Sequence, residues 1–212
     1  LNKPNSHRAS NMKKQTVSIV IPTYNERGNI EKLIPQIFKS CEGLGASVEV
    51  IIVDDNSPDG TGRLAEELGR KYNVKVIRRT GKLGLASAVI KGFAESKSDI
   101  VGAMDADISH PPQALPELIR PILKGEAEVA VGNRYIKGGG VEVWPFHRKL
   151  ISRVATLMAR HLTKVKDPMS GFVVMKRRVF DKLRSSLKPI GLKFLLEILI
   201  KGKNLKVCEF PI

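Results

Sequence analysis

The segment VEVIIVDDNSPDGTGRLAEELGRKYNVKVI, residues 48–77, contains the pattern that decides the fold. It starts with an apolar run, Val48–Val53, that predicts a buried strand, and it ends with a second such run, Val74–Ile77. Between them, Thr61–Tyr72 predicts a helix. In it Glu66 and Glu67 precede Arg70 and Lys71 at spacings that allow stabilising ion pairs along a helix. A strand, a helix and a strand in this order form a β-α-β unit, whose two strands are parallel.

The same alternation continues on both sides of this segment. The further predictions are strands at Val17–Ile21, Ile100–Met104 and Glu128–Val131, and helices at Asn29–Ser40 and Leu85–Glu95. Strands that alternate with helices predict a mostly parallel central sheet with helices on both faces, an α/β fold of the Rossmann-like type. The length of 212 residues and the hydrophobic content of 42% fit one compact domain.

Polar loops follow three of the predicted strands, and parallel sheets bind ligands at this carboxyl edge. The loops are residues 22–27, 54–60 and 105–110. Asp105 and Asp107 are spaced by one residue, which allows both carboxylates to share a hard divalent cation that also takes phosphate oxygens. Asp54 and Asp55 stand where an acidic residue commonly receives ribose hydroxyls, and the alternative is that they cap the following helix, a role that Asp59 or Ser57 could serve instead.

Several other classes of site lack their signatures. The sequence has no glycine-rich dinucleotide-binding loop after the first strand and no Walker-type loop, so a bound metal is the candidate for holding a diphosphate. The four histidines are scattered and have no matching cysteines, which argues against zinc. His110, which precedes two prolines, is interpreted as a turn residue. Ser170 has no paired histidine nearby, which gives a nucleophilic serine little support.

The charge of the chain requires an anionic partner. The formal net charge is +15 and the sequence pI is about 10.0. Aromatic residues make up only 5% and do not interleave with the basic residues as stacking on nucleic acid would require. The sequence therefore predicts phosphorylated small molecules or an acidic membrane surface as partners, and no nucleic acid.

Other composition features bear on the compartment and the domain limits. The two cysteines, Cys41 and Cys208, lie far apart and predict a reducing compartment. No apolar run approaches the roughly 20 residues that span a bilayer, and the polar, basic start does not read as a signal peptide. We expect residues 1–14 to be a mobile extension and residues 15–212 to be a catalytic domain that is incomplete at its carboxyl end.

A series of short motifs occurs in an order typical of one enzyme family. The motifs are IPTYNER at 21–27, VDDNSPDGT at 53–61, GL at 84–85, MDADISHPP at 104–112, GNRY at 132–135, WPFHRK at 144–149 and DPMSGF at 167–172. Together they resemble glycosyltransferase family 2, and within it the dolichyl-phosphate (polyprenyl-phosphate) mannose synthases, over residues 17–212. The resemblance implies a GT-A fold and a metal-dependent, inverting transfer of mannose from GDP-mannose to dolichyl or another polyprenyl phosphate.

The resemblance also implies roles for individual residues. Those that border the donor nucleotide are Pro22, Tyr24, Glu26, Val53, Asp55, Asp105 and Ala106. Asp107 binds Mg²⁺ or Mn²⁺ beside the diphosphate, with Asp105 as a second ligand. Ser109 replaces a longer Gln of several relatives, so its hydroxyl reaches the metal directly or through a water. Arg134, Arg148 and Lys193 face the phosphates, and the catalytic set is Asp107, Arg134 and Arg148.

Residues 148–165 carry apolar side chains at helical spacing with basic residues on the flanks. This pattern predicts an amphipathic helix at a membrane interface, although an apolar stripe is more commonly packed on a core. Together with the resemblance, it predicts a membrane-associated domain on the cytoplasmic side. The prediction leaves open whether a membrane-spanning segment or subunit exists outside this chain.

Three alternative functions remain open from the sequence. The same fold and metal site would serve transfer of glucose from UDP-glucose to a polyprenyl phosphate, and the residues that select the sugar cannot be recognised. A nucleotidyltransferase also uses two aspartates with a metal, but it usually has a glycine-rich amino-terminal loop that is missing here. A non-catalytic binding module would follow if the chain ended at Ile212, because relatives continue there with basic residues that close over the site.

Overall fold

The computed structural model describes residues 14–140, 157, 159, 161–189 and 194–212. These residues form one seven-stranded sheet with the strand order β3-β2-β1-β4-β6-β5-β7. The strands are β1 (Thr16–Thr23), β2 (Ser47–Asp54), β3 (Val74–Arg78), β4 (Ile100–Ala103), β5 (Val129–Asn133), β6 (Val173–Lys176) and β7 (Val207–Pro211).

The sheet is mostly parallel, as the sequence predicts. β1 is parallel to β2 and to β4, β2 is parallel to β3, and β5 is parallel to β7. β6 runs antiparallel to both of its neighbours, β4 and β5. Because of this reversal, β6 begins at the edge where the parallel strands end. The segment that precedes β6 therefore joins the loops at the carboxyl edge of the sheet.

Six α-helices within the described ranges cover the two faces of the sheet. They are α1 (Arg27–Ser40), α2 (Thr61–Leu68), α3 (Leu85–Glu95), α4 (Leu115–Leu123), α5 (Arg177–Leu183) and α6 (Phe194–Lys201). Apolar residues of α1, α2 and α4 belong to one buried cluster, and those of α3, α5 and α6 belong to a second. Val20 and Ile21 of β1 fall into different clusters because successive strand residues point to opposite faces.

The contact between α3 and the sheet depends on Gly92. A Cβ atom at this position would lie 2.4 Å from Cγ1 of Val20 and 3.1 Å from Cγ2 of Val53. Even alanine would collide with the β-branched side chains of β1 and β2, which have little freedom to move. α3 consequently lies directly against these strands, and its amino-terminal end reaches the carboxyl edge of the sheet.

The predicted strands and helices are found, with one boundary wrong by a full turn. The helix predicted over Thr61–Tyr72 ends at Leu68. Gly69 follows, and glycine loses more conformational freedom in a helix than any other residue, which favours an end there. Helices α4, α5 and α6 and strands β6 and β7 were not predicted from the sequence.

Some predictions concern residues outside the described ranges. Arg148 and Lys193 are among them, as is most of the predicted amphipathic segment at 148–165 and nearly all of the predicted extension at 1–14. Val165, at the end of that segment, is described and is buried in the second cluster. Within the part of the chain that the structure describes, no helix has the length and apolar character needed to cross a bilayer.

Candidate active site

Three polar loops meet at the carboxyl edge of β2, β1 and β4, which are adjacent in the sheet. β1 and β2 end in register, with Thr23 opposite Asp54. The N–H of Met104, just after β4, donates to the carbonyl of Val20 in β1 at 3.2 Å. The loops that the sequence predicted to share one crevice therefore do start from neighbouring points on the same edge.

The loop after β1 is fixed to the loop after β2 by three hydrogen bonds from backbone N–H groups to side chains. The bonds are Asn25 N to Ser57 Oγ (3.0 Å), Glu26 N to Thr61 Oγ1 (3.0 Å) and Arg27 N to Asp59 Oδ2 (3.2 Å). Asn25 adopts a left-handed backbone with φ of 59°, a conformation that asparagine tolerates better than most residues. The two loops thus form one connected wall of the crevice.

Two acidic residues of the second loop have structural partners. Asp54 is buried and accepts the N–H of Ser57 at 3.1 Å, which closes a tight turn. Asp59 accepts the N–H of Thr61, the first residue of α2, at 2.9 Å. Burial acts to raise the pKa of Asp59, but its hydrogen bonds from Thr61 and Arg27 outweigh burial and lower it. Of the residues considered for this end of α2, Asp59 bonds its first backbone N–H, while Gly60 occupies the N-cap position.

Asp55 forms a buried ion pair with Arg79, a residue that sequence reasoning missed. Asp55 also accepts the N–H of Leu83 at 3.1 Å. Arg79 donates in addition to Oγ of Ser87 at 2.6 Å and to the carbonyl of Gly84 at 3.0 Å. Asp55 therefore ties the loop between β3 and α3 to the crevice. Its contact with a nucleotide stays a prediction.

The outer rim of the crevice includes Tyr24, which is exposed. The ammonium group of Lys82 lies 4.5 Å from the centroid of the Tyr24 ring, within the range of a cation–π interaction. Glu26 accepts the side-chain N–H of Asn29 at 2.6 Å. Val53, in contrast, has 0% of its surface exposed, so it supports the crevice from beneath.

The third loop holds the two spaced aspartates in different environments. Asp105 is half-buried, Ala106 is buried, and Asp107 is exposed. Ile108 has a left-handed backbone with φ of 61°, which is unusual for a β-branched residue and turns the chain sharply. After this turn, the N–H of Ser109 donates to Oδ1 of Asp107 at 3.0 Å. Ser109 thus orients Asp107 through its backbone.

His110 is a buried component of this loop, and its interpretation as a simple turn residue is incomplete. Its Nδ1 accepts the N–H of Asp105 at 3.0 Å, and its ring stacks on Phe172 with 5.0 Å between centroids. Burial lowers the pKa of His110, and the nearby charge of Asp105 opposes this effect without cancelling it. The imidazole is therefore neutral at pH 7, with its proton on Nε2.

The segment before β6 closes tightly against Asp105. A Cβ atom on Gly171 would lie 3.1 Å from both carboxylate oxygens of Asp105 and 3.2 Å from Cε1 of His110. A side chain at position 171 would press on the carboxylate, so a residue without one is required. Gly171 leaves the Asp105 carboxylate in place at the edge.

Arg134, which follows β5, forms a bidentate ion pair with Asp167. Its Nε lies 2.8 Å from Oδ2 of Asp167 and its Nη2 lies 3.1 Å from Oδ1. The side chain of Asp167 is 0% exposed and that of Arg134 is 13% exposed. Burial acts to lower the pKa of Arg134, but the hydrogen bonds and charge of Asp167 outweigh burial, and Asp105 adds to the increase. Arg134 is thus a fixed cation close to the aspartate loop.

The order of these loops matches a known family. The profile described as Glycosyl transferase family 2 matches residues 18–184. The chain belongs to glycosyl transferase family 2. The resemblance found in the sequence is thereby confirmed at the level of the family.

Two relatives within this family carry the same name. The chain is 50% identical over 199 residues to a "Dolichol-phosphate mannosyltransferase" of Pyrococcus furiosus, covering 92% of this chain and 55% of the relative. It is 38% identical over 188 residues to a "Dolichol-phosphate mannosyltransferase" of Saccharomyces cerevisiae, covering 87% of this chain and 70% of that protein. The chain therefore spans little more than half the length of the Pyrococcus relative.

A solved structure supports the fold of this family 2 domain. A mannosyltransferase of Pyrobaculum calidifontis, determined with GDP-Man and Mn²⁺, superposes with a TM-score of 0.67 at 20% identity. The match covers 99% of this chain and 58% of that protein. At this identity the likeness concerns the fold, and the predicted GT-A fold is confirmed.

The carboxylates at this edge suit a hard divalent cation that would also bind phosphate oxygens of a substrate. In the described ranges no group of three His, Cys, Asp or Glu side chains is placed to hold a metal. Asp105 and Asp107 supply carboxylate oxygens at one edge, and Asp107 is open to solvent. Mg²⁺ and Mn²⁺ suit such a site, because with few protein carboxylates they take water and phosphate oxygens as further ligands.

The structure brings most of the predicted site residues to one edge. These are Pro22, Tyr24, Glu26, Asp55, Asp105, Ala106, Asp107, Ser109 and Arg134. Sequence reasoning missed the contacts of Arg79, Lys82, Asp167 and Gly171. Asp167 and Gly171 lie in the motif at 167–172, but their contacts with Arg134 and Asp105 join segments that are far apart in the sequence.

Proposed function

We propose that this chain is the catalytic part of a metal-dependent, inverting glycosyltransferase that moves mannose from GDP-mannose to dolichyl or another polyprenyl phosphate. The observation that carries the proposal is that the segment before β6 meets both parts of the site, since its Gly171 lies against the Asp105 carboxylate and its Asp167 forms the bidentate ion pair with Arg134. Carboxylates that hold a cation, beside a rigid guanidinium, suit a diphosphate. The names of the relatives support mannose and dolichol phosphate.

The reaction needs no general base. A lipid phosphate monoester has a second pKa of about 6 and is largely dianionic at pH 7, so its oxygen can attack without losing a proton. A bond forms between that oxygen and the anomeric carbon while the bond from this carbon to the donor phosphate breaks. GDP leaves with the electron pair, and a single displacement inverts the anomeric centre. Neutral His110 is consistent with this scheme, since its Nδ1 is engaged by Asp105.

The residues of the chain bind and orient two anions that repel one another. Asp105 and Asp107 would hold Mg²⁺ or Mn²⁺, which when bound neutralises charge that grows on the departing diphosphate. Arg134 supplies a cation whose orientation is fixed by Asp167. The connected loops after β1 and β2 form the wall for the nucleotide, with Tyr24 and Glu26 at its rim.

The test of this function is a transfer assay. The protein is mixed with Mn²⁺, a polyprenyl phosphate and labelled GDP-mannose, and label in the lipid is measured. We expect label in the lipid with GDP-mannose and at least about tenfold less with UDP-glucose, because two relatives of this chain are named as mannosyltransferases. Stronger transfer from UDP-glucose would replace mannose by glucose in the proposal. Binding of neither donor in the presence of metal would contradict the proposed activity.

Exposed apolar residues on the loops at this edge, and others in the segment before β6, support a membrane interface. Tyr24, Leu83 and Ile108 lie on the loops that follow β1, β3 and β4, and Leu157 and Leu162 precede β6. Leu83 is 58% exposed and Leu162 is 61% exposed. Lys82 stands beside Leu83, and Lys164 and Lys166 are exposed near Leu162. Apolar side chains flanked by lysines suit the interface of an anionic bilayer, which would bring the site to its lipid acceptor.

We expect the double substitution Leu83→Ser and Leu162→Ser to weaken binding to vesicles of phosphatidylcholine and phosphatidylserine by at least about tenfold, because a tenfold change is about 1.4 kcal/mol and each leucine contributes roughly 1.5–3 kcal/mol when fully removed from water. Binding is measured by vesicle sedimentation. Ile200→Ser is the control, since Ile200 is 42% exposed in the last turn of α6, which leads into the start of β7 at the opposite edge. Equal losses for the control and the double variant would contradict docking through the carboxyl edge.

A further inference from the structure

Glu209 lies in β7, at the far side of the sheet from β1, and it is not a member of the predicted site. β7 pairs with β5, with Glu209 opposite Val131. One oxygen of Glu209, Oε1, accepts three hydrogen bonds. The donors are Asn133 Nδ2 at 2.5 Å, the N–H of Lys166 at 2.8 Å and the N–H of Asp167 at 3.4 Å.

These three bonds join the two chain segments that hold Arg134. Asn133 precedes Arg134, is fully buried, and uses its own Oδ1 to accept the N–H of Tyr135 at 2.7 Å. Asp167 forms an ion pair with the Arg134 side chain and also accepts the backbone N–H of Arg134 at 3.4 Å. Glu209 therefore fixes the backbone of the arginine on one side and the backbone of its carboxylate partner on the other.

We propose that Glu209 is a positioning residue for Arg134. By holding Asn133 and the backbone of Lys166 and Asp167 on one oxygen, it sets the distance between β5 and the segment before β6. That distance decides whether Asp167 meets both Nε and Nη2 of Arg134. A carboxylate is suited to this task because an ionised oxygen accepts several hydrogen bonds more strongly than a neutral one. The positioning role is inferred from these hydrogen bonds alone. Only its expected effect on diphosphate binding rests on the proposed function.

The substitutions Glu209→Ala and Glu209→Gln distinguish the role of the acceptor oxygen from the role of the negative charge. Glutamine retains a carbonyl oxygen that can occupy the place of Oε1, whereas alanine removes it. We expect Glu209→Ala to weaken GDP binding in the presence of Mn²⁺ by about tenfold, and Glu209→Gln by less than about threefold, as measured by calorimetry. Glu49→Ala is the matched control, because Glu49 is a half-buried strand residue that bonds Ser18 at the opposite end of the sheet.

Two further measurements separate positioning from simple destabilisation. In an Arg134→Ala background, Glu209→Ala should cause no additional loss of GDP affinity, although it still lowers the melting temperature. In the chain with Arg134 intact, the backbone amide proton of Arg134 should exchange with solvent at least about tenfold faster in Glu209→Ala and near the native rate in Glu209→Gln, because Asp167 is its acceptor.

Each outcome bears on the proposal. Unchanged exchange of the Arg134 amide in Glu209→Ala overturns the positioning role, and so does an equal loss of GDP affinity in the two backgrounds. If the unaltered protein does not bind GDP with Mn²⁺, the proposed function fails, and the exchange measurement still decides whether Glu209 positions Arg134. Rescue by glutamine in both measurements supports the role of the Oε1 oxygen.

Discussion

The proposed transfer of mannose should fall by about 10²–10³-fold in kcat/KM when Asp107 is replaced by asparagine. Asp107 is exposed at the carboxyl edge, and its Oδ1 is oriented by the N–H of Ser109 at 3.0 Å. Asparagine keeps the shape and the acceptor oxygen for that bond but removes the charge that attracts a divalent cation. The loss should therefore appear in binding of metal with nucleotide, which Mn²⁺ titration in the presence of GDP measures directly.

The control for this substitution is Asp181→Asn. Asp181 is also an exposed carboxylate and pairs with Arg177 on α5, away from the three loops. It should leave transfer and metal-dependent GDP binding within about twofold of the unaltered protein, because exposed ion pairs contribute little. Full activity of Asp107→Asn at low Mn²⁺ would remove Asp107 from the metal site. A loss of the same size in both variants would indicate a general effect of negative charge.

The first half of the fold was accessible from the sequence because its strands are continuous apolar runs. The inner residues of β1, β2 and β4 are buried between two helical layers, so each strand contains a short run that is mostly Val and Ile. β7 is different, since its residues are half-buried and include Cys208 and Glu209. A short edge strand with a glutamate does not give the pattern of a buried strand, and it was missed.

Helix α4 was not predicted: it is shorter than α1, which was predicted in spite of its internal Pro35, and it contains two prolines. Pro116 lies at its amino-terminal end, where proline is compatible with a helix, but Pro121 lies inside it. An internal proline removes one hydrogen bond and argues against a helix in a sequence. The structure tolerates it because Leu118, Ile119 and Ile122 are buried in the first core cluster, and this packing outweighs the lost bond.

The site could be predicted only as far as its residues adjoin strands in the sequence. Asp105 and Asp107 directly follow an apolar run, so the rule for parallel sheets placed them at the edge. The partners of Asp55 and Arg134 follow from strand order and from the reversal of β6, which no local pattern reveals. Arg79 and Glu209 therefore look like ordinary charged residues in the sequence, and Asp167 stands in a motif without revealing that its partner is Arg134.

Replacement of Arg134 by lysine should reduce kcat/KM for transfer by about 10²-fold and weaken GDP binding, even though the charge is retained. The guanidinium meets Asp167 through two parallel hydrogen bonds, Nε to Oδ2 and Nη2 to Oδ1. Lysine is a point charge on a flexible stem and cannot make this pair of bonds. The buried Asp167 carboxylate would lose one donor, so the free energy of unfolding should also fall by about 1–3 kcal/mol.

Arg120→Lys provides the matched comparison, because Arg120 pairs with Glu117 on the exposed face of α4. There the same change of side chain should alter neither GDP affinity nor unfolding by more than about 0.5 kcal/mol. If Arg134→Lys behaved like Arg120→Lys, a positive charge alone would suffice at this position, and the geometry imposed by Asp167 would have no part in the reaction. A loss confined to Arg134→Lys would instead show that the orientation of the guanidinium matters as much as its charge, which is what its burial against Asp167 implies.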